Sequence, residues 1–178
     1  MNKGFTLIEV LVTTFIIGII STVILLNYRT GQEQVLLARA AVAFESDIRK
    51  AENLAFASVD VSGSSPCGYG LHYVNNRTYS IYVGRLGGAA SCKSSVHNYQ
   101  AGIDSIFQEL KIVEPRAIFR NNFPNIFFEP PDPTIYVNNF HSIIAGTNVE
   151  ICLEDILTKC QILGVYSSGE IEINFIDE

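Results

Sequence analysis

Glu9 is the first residue whose position asks for chemistry. It is the single charge in residues 5–26, where 15 of 22 side chains are apolar. A carboxylate at membrane depth costs about 2–3 kcal/mol or more and needs a partner. The four cysteines, Cys67, Cys92, Cys152 and Cys160, form no Cys-x-x-Cys pair, and His72, His97 and His141 show no helical metal spacing. Zinc and thioredoxin-like chemistry are therefore poor readings, and no metal or cofactor is expected. Nucleophile elbow, phosphate loop, His-Glu-x-x-His and calcium-loop spacings are all missing, while Asp104, Ser105 and His97 make a triad only if geometry is ignored. The expectation is a protein that is not an enzyme. Glu129, Asp132, Glu154 and Asp155 could gather a cation, but a solvated acidic surface is the simpler reading. Asn76-Arg77-Thr78 fits the N-glycosylation pattern, in a turn where Asn is favoured anyway. Arg77, Arg85 and Lys93 are the charges between residues 61 and 103, where no acid occurs, whereas residues 121–178 hold nine acids and only Lys159. A small cationic face near Tyr79, Tyr82 and Tyr99 is one reading of that asymmetry; scattered surface charge is the other.

These residues must be held by elements, and the composition allows a folded chain: 178 residues, 48% hydrophobic. A net charge of −6 is not that of a chain built to hold polyanions. Residues 5–26 as a helix reach roughly 33 Å, enough for a hydrocarbon core of about 30 Å. The run is longer than a secretory signal's apolar stretch and lacks a small-residue cleavage site, so it is retained as a span. After Gly31, a weak point in a helix, the pattern turns amphipathic. Leu37, Ala41, Phe44, Ile48, Ala51 and Ala55 repeat at helical spacing, widened by Leu36, Ala40 and Leu54, opposite Glu33, Arg39, Glu45, Arg49 and Glu52. One helix over residues 5–58 would be roughly 80 Å long. From Ser62 the pattern changes to turns and period-two strands: residues 70–74 and 78–83 as a hairpin, 125–129 and 134–137 around Pro130, Pro131 and Pro133, 149–153, 160–166 and 170–175. Residues 103–113 read either as a short helix capped by Ser105 or as a strand. One helix followed by strands is α+β: a helical spine packed on an antiparallel β domain.

Residues 3–12, Lys-Gly-Phe-Thr-Leu-Ile-Glu-Val-Leu-Val, resemble the processing site of type IV prepilins and type II secretion pseudopilins. The resemblance implies that a prepilin peptidase cuts between Gly4 and Phe5 and N-methylates Phe5. It further implies that Glu9 meets the cationic Phe5 amine of a neighbouring subunit, which offsets its desolvation. Loss of Lys3 leaves eleven basic and 18 acidic side chains, a balance of −7. Gly18 and Tyr28 match the family's helix-loosening Gly and its Tyr, whereas Leu26 stands where a Pro is frequent. The division implied is 1–4 leader, 5–30 polymerisation helix, 31–58 amphipathic helix and 59–178 exported β domain. Cys67-Gly68-Tyr69-Gly70, Phe128-Glu129-Pro130 and Ser168-Gly169-Glu170-Ile171 are similar to features of GspH/FimT-type minor pilins. The implied life history is insertion in the inner membrane with the β domain outside the cytoplasm, then assembly with other pilin subunits. Some FimT-like minor pilins bind DNA, which gives Arg77, Arg85 and Lys93 a possible partner; a major pilin is a further alternative.

An exported domain sits in an oxidising space where thiols pair. Cys152 and Cys160 lie symmetrically about Ile156 in a hairpin, so their bridge is the best of three connectivities and leaves Cys67 with Cys92. The latter would close a Gly/Ser-rich loop, worth about 3 kcal/mol in the chain-entropy model.

Overall fold

The computed structural model describes residues 6–86, 92, 96–130, 134–141 and 146–177. Among the described residues a long helix, α1 (Leu7–Phe56), is followed by nine strands. These are β1 (Tyr69–Asn75), β2 (Thr78–Val83), β3 (Ser105–Lys111), β4 (Ala117–Phe119), β5 (Ile126–Glu129), β6 (Thr134–Val137), β7 (Gly146–Leu153), β8 (Lys159–Tyr166) and β9 (Ile171–Asp177). The fold is α+β. The chain divides into two compact units, Met1–Leu36 and Leu37–Glu178.

In the first unit the helix runs through Gly18 and Gly31 without interruption. Its start is a capping box: the Thr6 backbone N–H and hydroxyl donate to Glu9 Oε2 at 3.3 and 3.2 Å, and the Glu9 N–H donates to Thr6 Oγ1 at 3.3 Å. Hydroxyls within the apolar stretch are satisfied locally. Thr13 and Thr14 donate to the carbonyls of Val10 and Leu11, and Thr22 to that of Gly18, so none of the three needs an external partner.

The second unit is built on the amphipathic part of α1. Leu37, Ala40, Ala41, Phe44, Ile48, Ala51 and Ala55 are buried to 2% exposure or less. That is the stripe expected from the periodicity. Small residues on much of it let the sheets approach, and Phe44 supplies the bulk, meeting Tyr79, Phe119 and Phe123 edge-on at 5.0–5.4 Å. Asp47 fixes the register of helix on sheet, accepting a hydrogen bond from the Tyr79 hydroxyl at 2.5 Å. Burial, reinforced by that carboxylate, pushes the Tyr79 phenol far above its ordinary range. The helix ends in a Schellman arrangement, with the Val59 N–H to Leu54 O and the Ser58 N–H to Ala55 O. Ser58 takes the left-handed φ of 45° that this termination requires.

Two antiparallel sheets follow. One has the order β3-β2-β1-β5-β6 and the other β4-β7-β8-β9. Phe44 touches both, through Tyr79 of β2 and Phe119 of β4. The β1–β2 turn is set by Asn75, whose side-chain oxygen accepts the N–H groups of Arg77 and Thr78 at 2.9 Å. Residues 103–113 resolve as strand β3, at the edge of the first sheet and irregular where Ile106 and Gln108 bracket Phe107. Strand β4 has no counterpart in the sequence reading, because three residues carry no period; partners define it, through pairing with β7 and the Phe119 N–H bond to Asn76 O.

Candidate functional site

The N-terminal element is the part of the molecule with a single consistent chemical reading. Leu7–Ile24 has a mean hydropathy of 2.4 and is long and apolar enough to cross a membrane. None of that window is buried within the protein. Its apolar side chains therefore have no intramolecular cover and fit a lipid or helix-packed environment. Glu9 sits near the start of this stretch, in the capping box with Thr6. The Thr-x-x-Glu spacing is itself a sequence signal of a helix start, separate from the charge of Glu9. Gly4 and Phe5, the expected cleavage and methylation positions, lie outside the described residues.

Cys67 is joined to Cys92 and Cys152 to Cys160. The second bridge links residues that stand directly opposite each other in the β7–β8 ladder. The first ties residue 92 to the segment just before β1.

Of the basic residues, Arg77 lies in the β1–β2 turn and pairs with Glu154 and with the carbonyl of Pro115. Arg85 is exposed just past the other end of β2. Eight residues of extended chain separate the two by about 26 Å, so they do not form one cluster. Lys93 lies outside the described residues. The acids are likewise dispersed. Glu154 belongs to Arg77, Asp155 accepts from Arg116 at 2.6 Å, and Asp132 lies outside the described residues. The Arg116 hydrogen bond holds the Asp155 carboxyl below its ordinary range.

Glu129 and the histidines belong to a row of rings on the first sheet. His97 stacks on Tyr136 at 3.6 Å, with its Nε2 3.5 Å from Glu129 Oε2, and His72 stacks on Tyr99 at 4.3 Å. His141 Nδ1 lies 2.9 Å from the Ile135 carbonyl. Burial, and the Glu129 carboxylate accepting its hydrogen bond, push the Tyr136 phenol up. Asp104 instead accepts the Gln100 N–H at 2.7 Å, and burial raises its carboxyl above the usual range against those backbone bonds. With Asp104 engaged by Gln100 and His97 by Asn139, Tyr136 and Glu129, no Ser-His-Asp relay is assembled among the described residues.

Comparison with protein families matches residues 1–25 to the prokaryotic N-terminal methylation motif. That match supports a type IV pilin-like chain, a substrate of prepilin peptidase that assembles with other pilin subunits, and it points to a structural role. The apolar helix at the start fits a membrane-anchored pilin. No curated protein and no solved structure matches the chain.

Proposed function

We propose that this chain is a non-enzymatic subunit, a minor pilin or pseudopilin of the GspH/FimT type, of a type IV pilus or type II secretion-like filament. The observation that carries the reading is the conjunction at the N-terminus: the methylation motif over residues 1–25 coincides with an apolar helical stretch, Leu7–Ile24, whose one acid is Glu9. The peptidase cuts between Gly4 and Phe5 and methylates Phe5. The apolar helix waits in the inner membrane and then serves as the polymerisation element. The disulfide-bonded β domain, outside the cytoplasm, is the exposed surface. Glu9 exchanges its local cap for the Phe5 amine of a neighbour.

Intact-mass analysis of protein extracted from membranes tests the first step. The mature chain is expected to lack four residues and to carry one added methyl group. A chain still beginning at Met1 or Asn2 sinks the proposal. Gly4→Ala should be processed in part and a bulky residue at that position should not, because the residue before the cut must fit closely.

A further inference from the structure

The outer face of the four-stranded sheet carries one ring in an unusual setting. Tyr166 pairs directly with Gly146 across the β7–β8 ladder, and Gly164 lies two residues earlier on β8, on the same face. A Cβ on Gly146 would stand 2.8 Å from Tyr166 Cδ1, and one on Gly164 would stand 3.1 Å from its Cε2 and Oη. The ring thus packs against both glycines, in space that any other residue type would fill. Tyr166 is only half-buried, so part of the ring remains open to solvent.

The surroundings of that ring are polar and ordered by the ladder. Gly164 has Asn148 as its cross-strand partner on one side and Glu172 on the other, so an amide and a carboxylate flank the ring. Tyr166 Oη lies 3.5 Å from Glu172 Oε2. One row further along, Ile162 is flanked in the same way by Glu150 and Asn174. Glu150 is engaged by Arg120 at 3.6 Å and Asn121 at 3.4 Å, whereas Asn148, Glu172 and Asn174 stand exposed.

A flat aromatic face takes a flat, weakly polar surface, and planar amides and carboxylates at its rim take hydroxyl groups. A pyranose with equatorial hydroxyls offers both, its C–H face to the ring and its hydroxyls to the rim. A nucleotide offers a stacking face too, but its phosphates would meet Glu150, Glu170 and Glu172. An aromatic peptide side chain would leave the rim groups unused. We propose that Tyr166, floored by Gly146 and Gly164 and flanked by Asn148 and Glu172, is a stacking site for a neutral, equatorially linked glycan. The carboxylates exclude anionic polysaccharides.

Co-sedimentation of the full chain, held in a non-glycosidic detergent, with cellulose and chitin tests the site, with polygalacturonate as the anionic comparator. Retention on at least one neutral polymer and none on polygalacturonate is expected. Tyr166→Ala should weaken retention by about tenfold, and Tyr166→Phe, which keeps the face, by no more than about twofold. Gly146→Val keeps the tyrosine but lifts the ring off the sheet, and should weaken retention as Tyr166→Ala does; Asn148→Ala should lose several-fold. Gly146 and Asn148 are exposed, so these two variants serve even where Tyr166→Ala melts early. Failure of the wild type to sediment with either neutral polymer overturns the proposal. So does wild-type retention in Gly146→Val and Tyr166→Ala, which would leave the tyrosine as a cover for two glycines and nothing more.

Discussion

The proposed function asks Glu9 to satisfy two demands at different stages. In the isolated chain its carboxylate returns to Thr6 and closes the helix start; in a filament the same oxygen would face a neighbour's amine. Glu9→Gln separates the two roles, because glutamine also serves at that position of a capping box but carries no charge. Membrane levels of Glu9→Gln and Glu9→Val should match or exceed wild type, since a charge leaves the apolar run. Crosslinking to other subunits should fall in both. If Glu9→Gln crosslinks as wild type does, the charge recruits no partner and the cap alone explains the residue. The chemical exception at Glu9 was legible from sequence because one acid stands alone among apolar residues, whereas Asp47 was not, being one of several acids on an amphipathic helix. Only the fold shows it receiving the Tyr79 hydroxyl. Tyr79→Phe removes a hydrogen bond to a charged group that is half-exposed, so a loss of about 1–2 kcal/mol is expected in urea unfolding. An unchanged midpoint would mean that water replaces the tyrosine at no cost.

At the scale of elements, legibility followed periodicity and local closure. The helical stripe from Leu37 to Ala55 was readable because each of its positions faces the core. The β1–β2 and β7–β8 hairpins were readable because two alternating runs flank a short turn. Strand β3 was ambiguous for the opposite reason: at the sheet edge its seven residues are all exposed or half-buried, so no face is selected and no period appears. The partition of the described strands into two sheets depends on pairings such as β1 with β5, which no local pattern encodes. The disulfides sort along the same line. Cys152–Cys160 crosslinks a hairpin that β9 already braces, over a separation of 8 residues, whereas Cys67–Cys92 spans 25. In the chain-entropy model the longer loop contributes about 1 kcal/mol more. Replacing Cys67 and Cys92 with serine should therefore lower the unfolding midpoint further than replacing Cys152 and Cys160. The reverse order would show that ladder geometry, and not loop length, governs the contribution.

For the whole molecule, charge decides which partners can approach. Removal of residues 1–4 would leave a side-chain balance of −7. Several cations are already committed: Arg49 to Glu52 and to the Gly169 carbonyl, Arg77 to Glu154, Arg116 to Asp155, Arg120 to Glu150. Such surface pairs contribute little to stability, about 0–1 kcal/mol each, but they cancel local field. A polyanion held by Arg77, Arg85 and Lys93 would bind against that background. With about 26 Å of strand between the first two, they would act as separate contacts and not as a patch. Two or three phosphate contacts imply a salt slope of only about −2 to −3, and non-specific affinity of the weakest kind. The full chain in detergent should therefore show no retention on immobilised DNA at 50 to 200 mM salt. Retention that persists at 200 mM and disappears when Arg77 and Arg85 are both replaced by alanine would contradict this. It would mean that the basic stretch between residues 61 and 103 outweighs the acids of residues 121–178, and would move the subunit's exposed domain from a structural surface to a nucleic-acid receptor.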